Sequence, residues 1–231
     1  MRSPLVLEPL FHVGPVAVTE PVVVSWAILA CLGGASALAT RRLKLAPSRP
    51  QAALEILVDA IDAQIRDTLR NDPAPFRALI GSIFLFVLAA NWSSLIPGVE
   101  PPTAHFETDA AIAAIVFVAT VAFGLRSRGL AGYLATFAEP TWIMIPLNVI
   151  EQFTRTFSLI VRLFGNVMSG VFIVGVVLTL AGLLVPIPLM ALDLLTGAVQ
   201  AYIFAVLATV FIGAAVGEAE TKHPSNDRGT A

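Results

Sequence analysis

The sequence contains few charged residues for its length. Only 13% of its 231 residues are Asp, Glu, Lys or Arg, whereas 57% are hydrophobic, and the mean hydropathy is +0.83. An ordinary soluble domain is about 25% charged, and a soluble chain of this size needs a polar shell that these residues are too few to form. We therefore expect an all-α polytopic membrane protein, because spanning segments must satisfy their own backbone hydrogen bonds.

Other absences narrow the function. The chain has one cysteine, Cys31, which excludes an internal disulfide and a thiolate metal cluster. Its net charge of -2 excludes a nucleic-acid binder built on a basic surface. The sequence has no GxxxxGK phosphate loop, so any nucleotide chemistry must run through a partner. We expect no cofactor, no metal site, no nucleic-acid partner and no enzyme activity of the chain by itself.

Apolar runs predict the membrane-embedded helices. A bilayer core about 30 Å thick is crossed by about 20 helical residues. Three runs of roughly this length precede a longer apolar stretch, in which we predict a helical hairpin with a turn at Pro186-Ile187-Pro188. The first arm would be about 54 Å long as one helix, so it must tilt, bend or follow the interface. The runs are residues 22–39, 78–96 and 110–125, and the arms are residues 147–182 and 189–216.

Two other segments complete the predicted organisation. The first run also fits a signal peptide, but the long acidic region before it and the basic flank after it favour a retained span. In residues 51–70, apolar residues recur every three or four positions among charged ones, which predicts an amphipathic interfacial helix. We divide the chain into an outer N-terminal tail (1–20), the first span with the cytoplasmic amphipathic helix (21–77), the second and third spans (78–140), the tilted hairpin (141–218) and a cytoplasmic tail (219–231).

The distribution of basic residues predicts the orientation. Lys and Arg cluster at 41–49, 66–77, 126–128 and 222–228, and segment 97–109 contains none. Because basic loops stay in the cytoplasm, we place that segment and the N-terminus outside and the C-terminus inside. These assignments place successive connecting segments on alternate sides of the membrane without conflict, and they require an odd number of membrane crossings.

A polar stripe in the first hairpin arm marks the candidate site. Its eight residues fall within about 120° of one helical face, and such a stripe faces protein or water. Within the stripe, Arg162 has the largest free-energy cost of membrane insertion, about 2.5 to 3.5 kcal/mol for an arginine near mid-membrane. No acidic residue lies one helical turn before or after it. Glu151 and Arg155 are spaced to form an ion pair. The stripe is Asn148, Glu151, Gln152, Arg155, Ser158, Arg162, Asn166 and Ser169.

A thinner stripe on the second arm contains Asp193 and Gln200. Either they belong to a half-path, a hydrated route for ions through half of the membrane, or they have structural roles. In the structural alternative Asp193 is a buried acid that holds the hairpin together and Gln200 forms a hydrogen bond between helices. The alternative for Arg162 is a structural ion pair with Asp193 or contact with a lipid headgroup. In the outer segment His105, Glu107 and Asp109 are candidates to line the mouth of the path, although exposed polar residues are usually just solvated.

Two motifs resemble a known family. Residues 158–166 read Ser-Leu-Ile-Val-Arg-Leu-Phe-Gly-Asn before Ser169-Gly170, and residues 200–204 read Gln-Ala-Tyr-Ile-Phe. Together with Pro-Thr-Ala at 102–104, they resemble subunit a, the A chain, of the membrane sector of F-type ATP synthases. The resemblance covers roughly residues 78–218, and the two helical motifs in combination are highly specific.

The resemblance implies a function, a location and partners. Subunit a is a stator subunit in the bacterial plasma (inner) membrane, and its tilted hairpin packs against a rotating c-ring whose subunits carry a mid-membrane carboxylate. Subunit b of the peripheral stalk and membrane lipid are further partners. Two offset half-channels carry protons to and from the carboxylate, which couples proton translocation to ATP synthesis or hydrolysis. Arg162 matches the family's essential arginine, and Asn166, Ser158 and Gln200 match positions in its two motifs.

The chain also departs from the family pattern in the outer half-channel. Val171 stands where many members have Glu, and Asp193 replaces a common His or Glu. His105 and Glu107 replace frequent Asp and Asn. We expect a differently built outer half-path in which Asp193 supplies the titratable group lost at Val171. These substitutions and the short chain resemble a divergent bacterial branch associated in some members with sodium, so sodium is the alternative coupling ion.

Two other classes of function compete with this interpretation. A stand-alone secondary transporter would use Arg162 as an anion site and would move ions in liposomes without a c-ring. A structural membrane anchor would tolerate Arg162→Ala without loss of coupled pumping.

Overall fold

The computed structural model describes residues 9–13, 16–41, 49–69, 72–96, 99–138, 142–182 and 185–217. The predicted cytoplasmic tail, 219–231, lies outside the described residues. Short 3-10 turns cover Ser93–Leu95, Pro102–Ala104 and Trp142–Met144. The longer elements are strands β1 (Pro9–Val13) and β2 (Val16–Thr19) and helices α1 (Glu20–Thr40), α2 (Arg49–Leu69), α3 (Ala74–Trp92), α4 (Phe106–Ala138), α5 (Ile145–Ala181) and α6 (Pro186–Val216).

Five helices in the described part of the chain are long and apolar enough to cross a membrane, namely α1, α3, α4, α5 and α6. The fold is therefore that of an all-α polytopic membrane protein, as the composition predicts. Each of the five occurs where the sequence has a long apolar run, because such runs are stable in hydrocarbon only with their backbone hydrogen bonds made internally.

The N-terminal segment contains structure that the sequence analysis did not predict. Residues 1–20 were expected to form a tail, but β1 and β2 pair antiparallel in register His12 with Ala17 and Val13 with Val16. Val18 is buried at the end of this hairpin. The segment was missed because two strands of five and four residues are too short to show a clear periodicity.

Helix α6 is the central element of the bundle and packs against α2, α3, α4 and α5. Small buried residues repeat along one of its faces at Gly197, Ala201, Ala205 and Ala208. Small side chains allow neighbouring backbones to approach closely in membranes, where helices associate by packing. This face therefore forms the contact surface of the bundle, and α1 remains at its periphery against α3.

The amphipathic helix α2 docks on the bundle through its apolar face. Ile65 and Leu69 are buried in a cluster with Ile212 of α6. At the edges of the contact, Tyr202 Oη donates a hydrogen bond to Gln64 Oε1 and Arg77 pairs with Asp62. The structure thus contains the predicted helix, and it packs against the chain's own spans.

Helix α4 is longer than predicted. The third apolar run ends at residue 125, but the helix that contains it continues to Ala138 beyond a kink at Gly129, where φ is 71°. Charged residues can end a membrane span without ending a helix, and glycine adopts a positive φ readily, so the end of the span itself stays a prediction. The kink brings Ser127 Oγ and Arg128 Nε to 3.2 and 3.1 Å from Val216 O, where they cap the end of α6.

The hairpin is built from one continuous helix and one that begins at proline. Helix α5 has 37 residues, which is about 55 Å and far more than the hydrocarbon thickness. Pro186 and Pro188 lie in the first turn of α6, so placing them in the turn was wrong. Proline is favoured in a first helical turn because its missing N–H would be unpaired there in any case.

Candidate functional site

Arg162 lies near the middle of α5 with its side chain on the surface of the isolated chain. Its neighbours Leu159 and Leu163 are buried and anchor α5 in the core. Phe157 and Val161 are exposed beside it. Among the described residues, no carboxylate pairs with Arg162. The helix therefore presents an exposed guanidinium between apolar neighbours, on the face that carries the polar stripe.

Asp193 does not form the intrachain ion pair that was the alternative interpretation of Arg162. Its carboxylate accepts a hydrogen bond from Ser94 Oγ at 3.4 Å and lies against α5 at Gly170. Gly170 is eight residues after Arg162, which is about 12 Å along the helix. The two charges are thus at different levels of the hairpin.

The Asp193 carboxylate occupies the space that a side chain at residue 170 would fill. A Cβ built on Gly170 would lie 2.0 Å from Asp193 Oδ1 and 2.8 Å from its carboxyl carbon, which is far inside van der Waals contact. The small-Gly pair of the sequence motif therefore has a physical role here, because it gives the carboxylate space against the helix backbone.

Two cavities open on different stretches of α5. The inner cavity, of about 430 Å³, lies between α5 and α6 and is lined by residues 147–162 of α5, including Ser158 and Arg162. The outer cavity, of about 170 Å³, is lined by Val171 and Gly175 of α5 and by Asp193. Arg162 is the last α5 residue of the inner cavity, and the first α5 residue of the outer cavity is Val171, more than two helical turns later.

The inner cavity contains the Glu151 and Arg155 pair. Arg155 donates a hydrogen bond to Glu151 Oε1 one turn earlier, and its Cζ lies 5.6 Å from the centre of the Phe211 ring of α6. A guanidinium over an aromatic face is attractive. The charge of Arg155 is thus satisfied within the chain, whereas that of Arg162 is not.

Asn166 and Gln200 carry buried amide nitrogens without hydrogen-bond partners in the described part of the chain. Gln200 is only 7% exposed, and the interhelical hydrogen bond that was its alternative role is not formed. A buried polar group without a partner costs about 1 to 3 kcal/mol unless water satisfies it. Both amide nitrogens therefore need a polar partner that the described residues do not supply.

The three outer candidates lie in different surroundings. His105 is 4% exposed, and its Nε2 lies 3.4 Å from Glu100 Oε2. Glu107 is exposed and lines a groove of about 410 Å³ between α1, α3 and α4. Asp109 is fully buried. The structure thus brings His105 toward the outer cavity through Glu100, which lines it, and leaves Glu107 apart from the other candidates.

Sequence reasoning missed a group of hydrogen bonds that joins the end of α3 to α6. We call this group, formed by Asn91, Trp92 and Thr103, the polar pin. The buried Asn91 donates a hydrogen bond from Nδ2 to Gly197 O at 2.9 Å and accepts one from Thr103 Oγ1 at 2.8 Å. Trp92 Nε1 donates to Leu194 O at 3.2 Å. The available signal was the polar residue at the end of an apolar run, which is rarely buried without partners.

These features define a polytopic helical membrane protein with an exposed positive charge at the edge of one of two cavities along α5. The sequence profile described as ATP synthase A chain matches residues 22–213. The chain is 58% identical to ATP synthase subunit a 2 of Bradyrhizobium sp., over 93% of this chain and 96% of that one.

Two further relatives show the same similarity. ATP synthase subunit a of Albidiferax ferrireducens is 48% identical over 84% of this chain and 85% of its own length. ATP synthase subunit a 1 of Chlorobaculum tepidum is 46% identical over 89% of this chain and 94% of its own length. The chain therefore belongs to the ATP synthase A chain family.

Proposed function

We propose that this chain is the ion-conducting stator subunit a of a rotary F-type ATP synthase or ATPase. In this role Arg162 faces the carboxylate of each passing c subunit, and ions enter and leave through two half-paths. The observation that carries the proposal is the exposed guanidinium of Arg162 on α5, which has no acidic partner among the described residues. Family membership supports the same role.

The energetics of Arg162 explain why a partner is needed. An arginine near mid-membrane costs about 2.5 to 3.5 kcal/mol of insertion free energy, and a guanidinium remains charged in proteins. A carboxylate presented by a neighbouring rotor offsets that cost while it is ionised and adjacent. The arginine would then favour ion release from the arriving carboxylate and prevent direct leakage between the half-paths.

The two cavities support offset half-paths. The inner cavity leads along α5 to Arg162 and contains Ser158, whereas the outer cavity contains Asp193 beyond Gly170. The buried amides of Asn166 and Gln200 provide polar sites between the helices. We assign Ser158 to the inner half-path and Asp193, Asn166 and Gln200 to the outer one.

The proposal includes a location and an assembly. The positive-inside rule places the outer segment 97–109 and the N-terminus outside a bacterial plasma (inner) membrane and the C-terminus in the cytoplasm. The partners are the c-ring, subunit b of the peripheral stalk and surrounding lipid.

The test replaces Arg162 in the assembled ATP synthase. We expect Arg162→Ala to abolish ATP-driven ion pumping in inverted membrane vesicles while the chain still co-purifies with the c-ring. Arg162→Lys should also fail, because a compact ammonium lacks the delocalised fork of guanidinium. Arg126→Ala, at an exposed arginine of α4, is the matched control. Normal pumping by Arg162→Ala would refute the proposal.

The coupling ion is tested in the same vesicles. We propose protons, with sodium as the alternative. Proton coupling predicts ATP-driven acidification that does not require sodium and that a protonophore abolishes. Sodium coupling predicts sodium uptake that persists, or increases, in the presence of a protonophore.

A further inference from the structure

Asp109 is a buried acid that the proposed mechanism does not yet use. It lies in the first turn of α4 and is 0% exposed, and neither carboxylate oxygen has a hydrogen-bond partner in the described part of the chain. Burying a carboxyl group without partners is costly, and such a cost is typically retained where the group is functional. Asp109 therefore requires an explanation beyond packing.

The residue one turn before Asp109 connects it to the outer surface. The backbone N–H of Asp109 is 3.4 Å from His105 O, so the two residues lie on adjacent turns. His105 is itself buried, and its Nε2 has no hydrogen-bond partner but lies 3.4 Å from Glu100 Oε2. The Glu100 side chain is 55% exposed and lines the outer cavity with Asp193. Glu100 and the His105 imidazole are thus within ion-pair distance, and the Asp109 carboxyl follows one helical turn later without a hydrogen bond to either of them.

Aromatic contacts between α4 and α5 give the depth of Asp109. The rings of Phe106 and Phe164 are 6.1 Å apart, and those of Phe117 and Phe153 are also 6.1 Å apart. Phe117 comes eleven residues after Phe106 on α4, whereas its partner Phe153 comes eleven residues before Phe164 on α5. The two helices therefore run antiparallel in constant register. This register places Asp109 opposite residue 161, which is the level of Arg162.

We propose that Glu100, His105 and Asp109 form a proton relay that extends the outer half-path to the level of Arg162. This inference rests on the proposed function. For an inward-moving proton, the carboxylic acid of Glu100 gives its proton to Nε2 of neutral His105. The resulting imidazolium releases its other ring proton to the carboxylate of Asp109, which becomes a neutral acid. Release of that proton toward the c subunit restores the carboxylate, and Glu100 takes a new proton from the outer cavity. His105 is left protonated on Nε2, and either a flip of its ring or a tautomer exchange resets it.

A purely structural role is the competing explanation for Asp109. Acidic residues in a first helical turn stabilise the helix dipole, and Glu107 and Asp109 both occupy that position in α4. A structural acid would be needed for assembly but would not have to change its protonation state. The relay instead predicts a defect in transport in complexes that assemble normally.

The experiment uses whole ATP synthase in inverted vesicles. We expect Asp109→Asn to lower ATP-driven acidification at least about tenfold, the scale of a lost proton-transfer group, while c-ring co-purification is unchanged. Asp109→Glu should retain most of the pumping because it keeps a titratable acid. Asp67→Asn, at an exposed carboxylate of α2, is the matched control and should pump normally.

His105 provides a readout that a structural role would not change. We expect His105→Ala to lower acidification at least about tenfold and added imidazole to restore it several-fold in a concentration-dependent manner. Should Asp109→Asn fail to assemble, this rescue decides the question. Absence of rescue, or normal pumping by Asp109→Asn, would overturn the relay.

The two proposals fail separately. If Arg162→Ala abolishes pumping while both relay variants pump normally, the relay is wrong and the stator function stands. If the vesicles transport sodium without moving protons, the proton relay is likewise wrong. If Arg162→Ala pumps normally, the proposed function fails first.

Discussion

At the scale of single residues, the site depends on close approach as much as on charge. Arg162 is exposed whereas Leu159 and Leu163, which lie about 60° and 100° from it around the helix axis, are buried. Asp193 reaches α5 only because residue 170 lacks a side chain. The position of each charged group is thus determined by apolar or absent side chains next to it.

The first prediction concerns Gly170. In Gly170→Ala the new Cβ would meet Asp193 Oδ1 at 2.0 Å, so the carboxylate or the helix must shift. We expect several-fold slower ATP-driven pumping with assembly retained. Gly34→Ala, in α1, is the control because nothing lies within 4 Å of its Cβ. Equal pumping by the two variants would show that Asp193 does not need its present position.

The second prediction concerns the polar pin. Asn91→Leu removes the hydrogen bond to Gly197 O and leaves the buried hydroxyl of Thr103 without its acceptor. We expect a loss of about 1 to 3 kcal/mol in the free energy of unfolding, measured by denaturation of the complex in detergent. Ser82→Ala is the control, since its exposed hydroxyl bonds only within its own helix. A loss no larger than that of the control would contradict the role of Asn91.

Sequence reasoning found the charges of the site but not their neighbours. Arg162 could be singled out because a central arginine without a helical counter-ion is costly in a membrane. The contact of Asp193 with Gly170 and the burial of Asp109 could not be predicted, because both depend on the register between helices distant in sequence. Asn91 was missed for the same reason.

At the scale of elements, the structure separates what defines a membrane span from what defines a helix. Helix α4 passes residues 126–128 without ending and bends at Gly129, and α6 begins at the proline that was expected to form a turn. Apolar length predicts where a chain is buried in lipid, whereas backbone chemistry determines where a helix stops. The predicted spans were therefore correct in number and kind, but the predicted start of the second hairpin arm was wrong.

The third prediction compares the two contacts that hold α2. Ile65 is fully buried against Ile212, and Ile→Ala in a core costs about 2 to 5 kcal/mol. The Arg77 and Asp62 pair is exposed on the Arg77 side, and surface ion pairs contribute little. We expect Ile65→Ala to increase protease cleavage of α2 strongly and Arg77→Gln to increase it only slightly. The reverse order would show that the ion pair dominates docking.

At the scale of the whole molecule, five apolar helices give an odd number of crossings if each spans the membrane once. The amphipathic α2 and the outer turn at Pro102–Ala104 then lie on opposite sides. The arrangement of basic residues in the sequence supports this topology.

The fourth prediction tests the topology by labelling. In a Cys31→Ser background, we expect cysteine placed at Glu100 to react with a membrane-impermeant thiol reagent from outside intact cells. Cysteine placed at Glu55, an exposed position on α2, should react only in inverted vesicles. Labelling of both from the same side would refute the proposed orientation.

The attachments of α6 have a mechanical consequence. Its outer half is bonded to Asn91 and Trp92 of α3, and its inner end is held by Ser127 and Arg128 of α4. If a turning ring drags on the outer face of α5, the lateral load passes through α6 to two separate struts. Because α6 is attached at both levels, α5 resists lateral displacement. The whole helical bundle therefore carries the load.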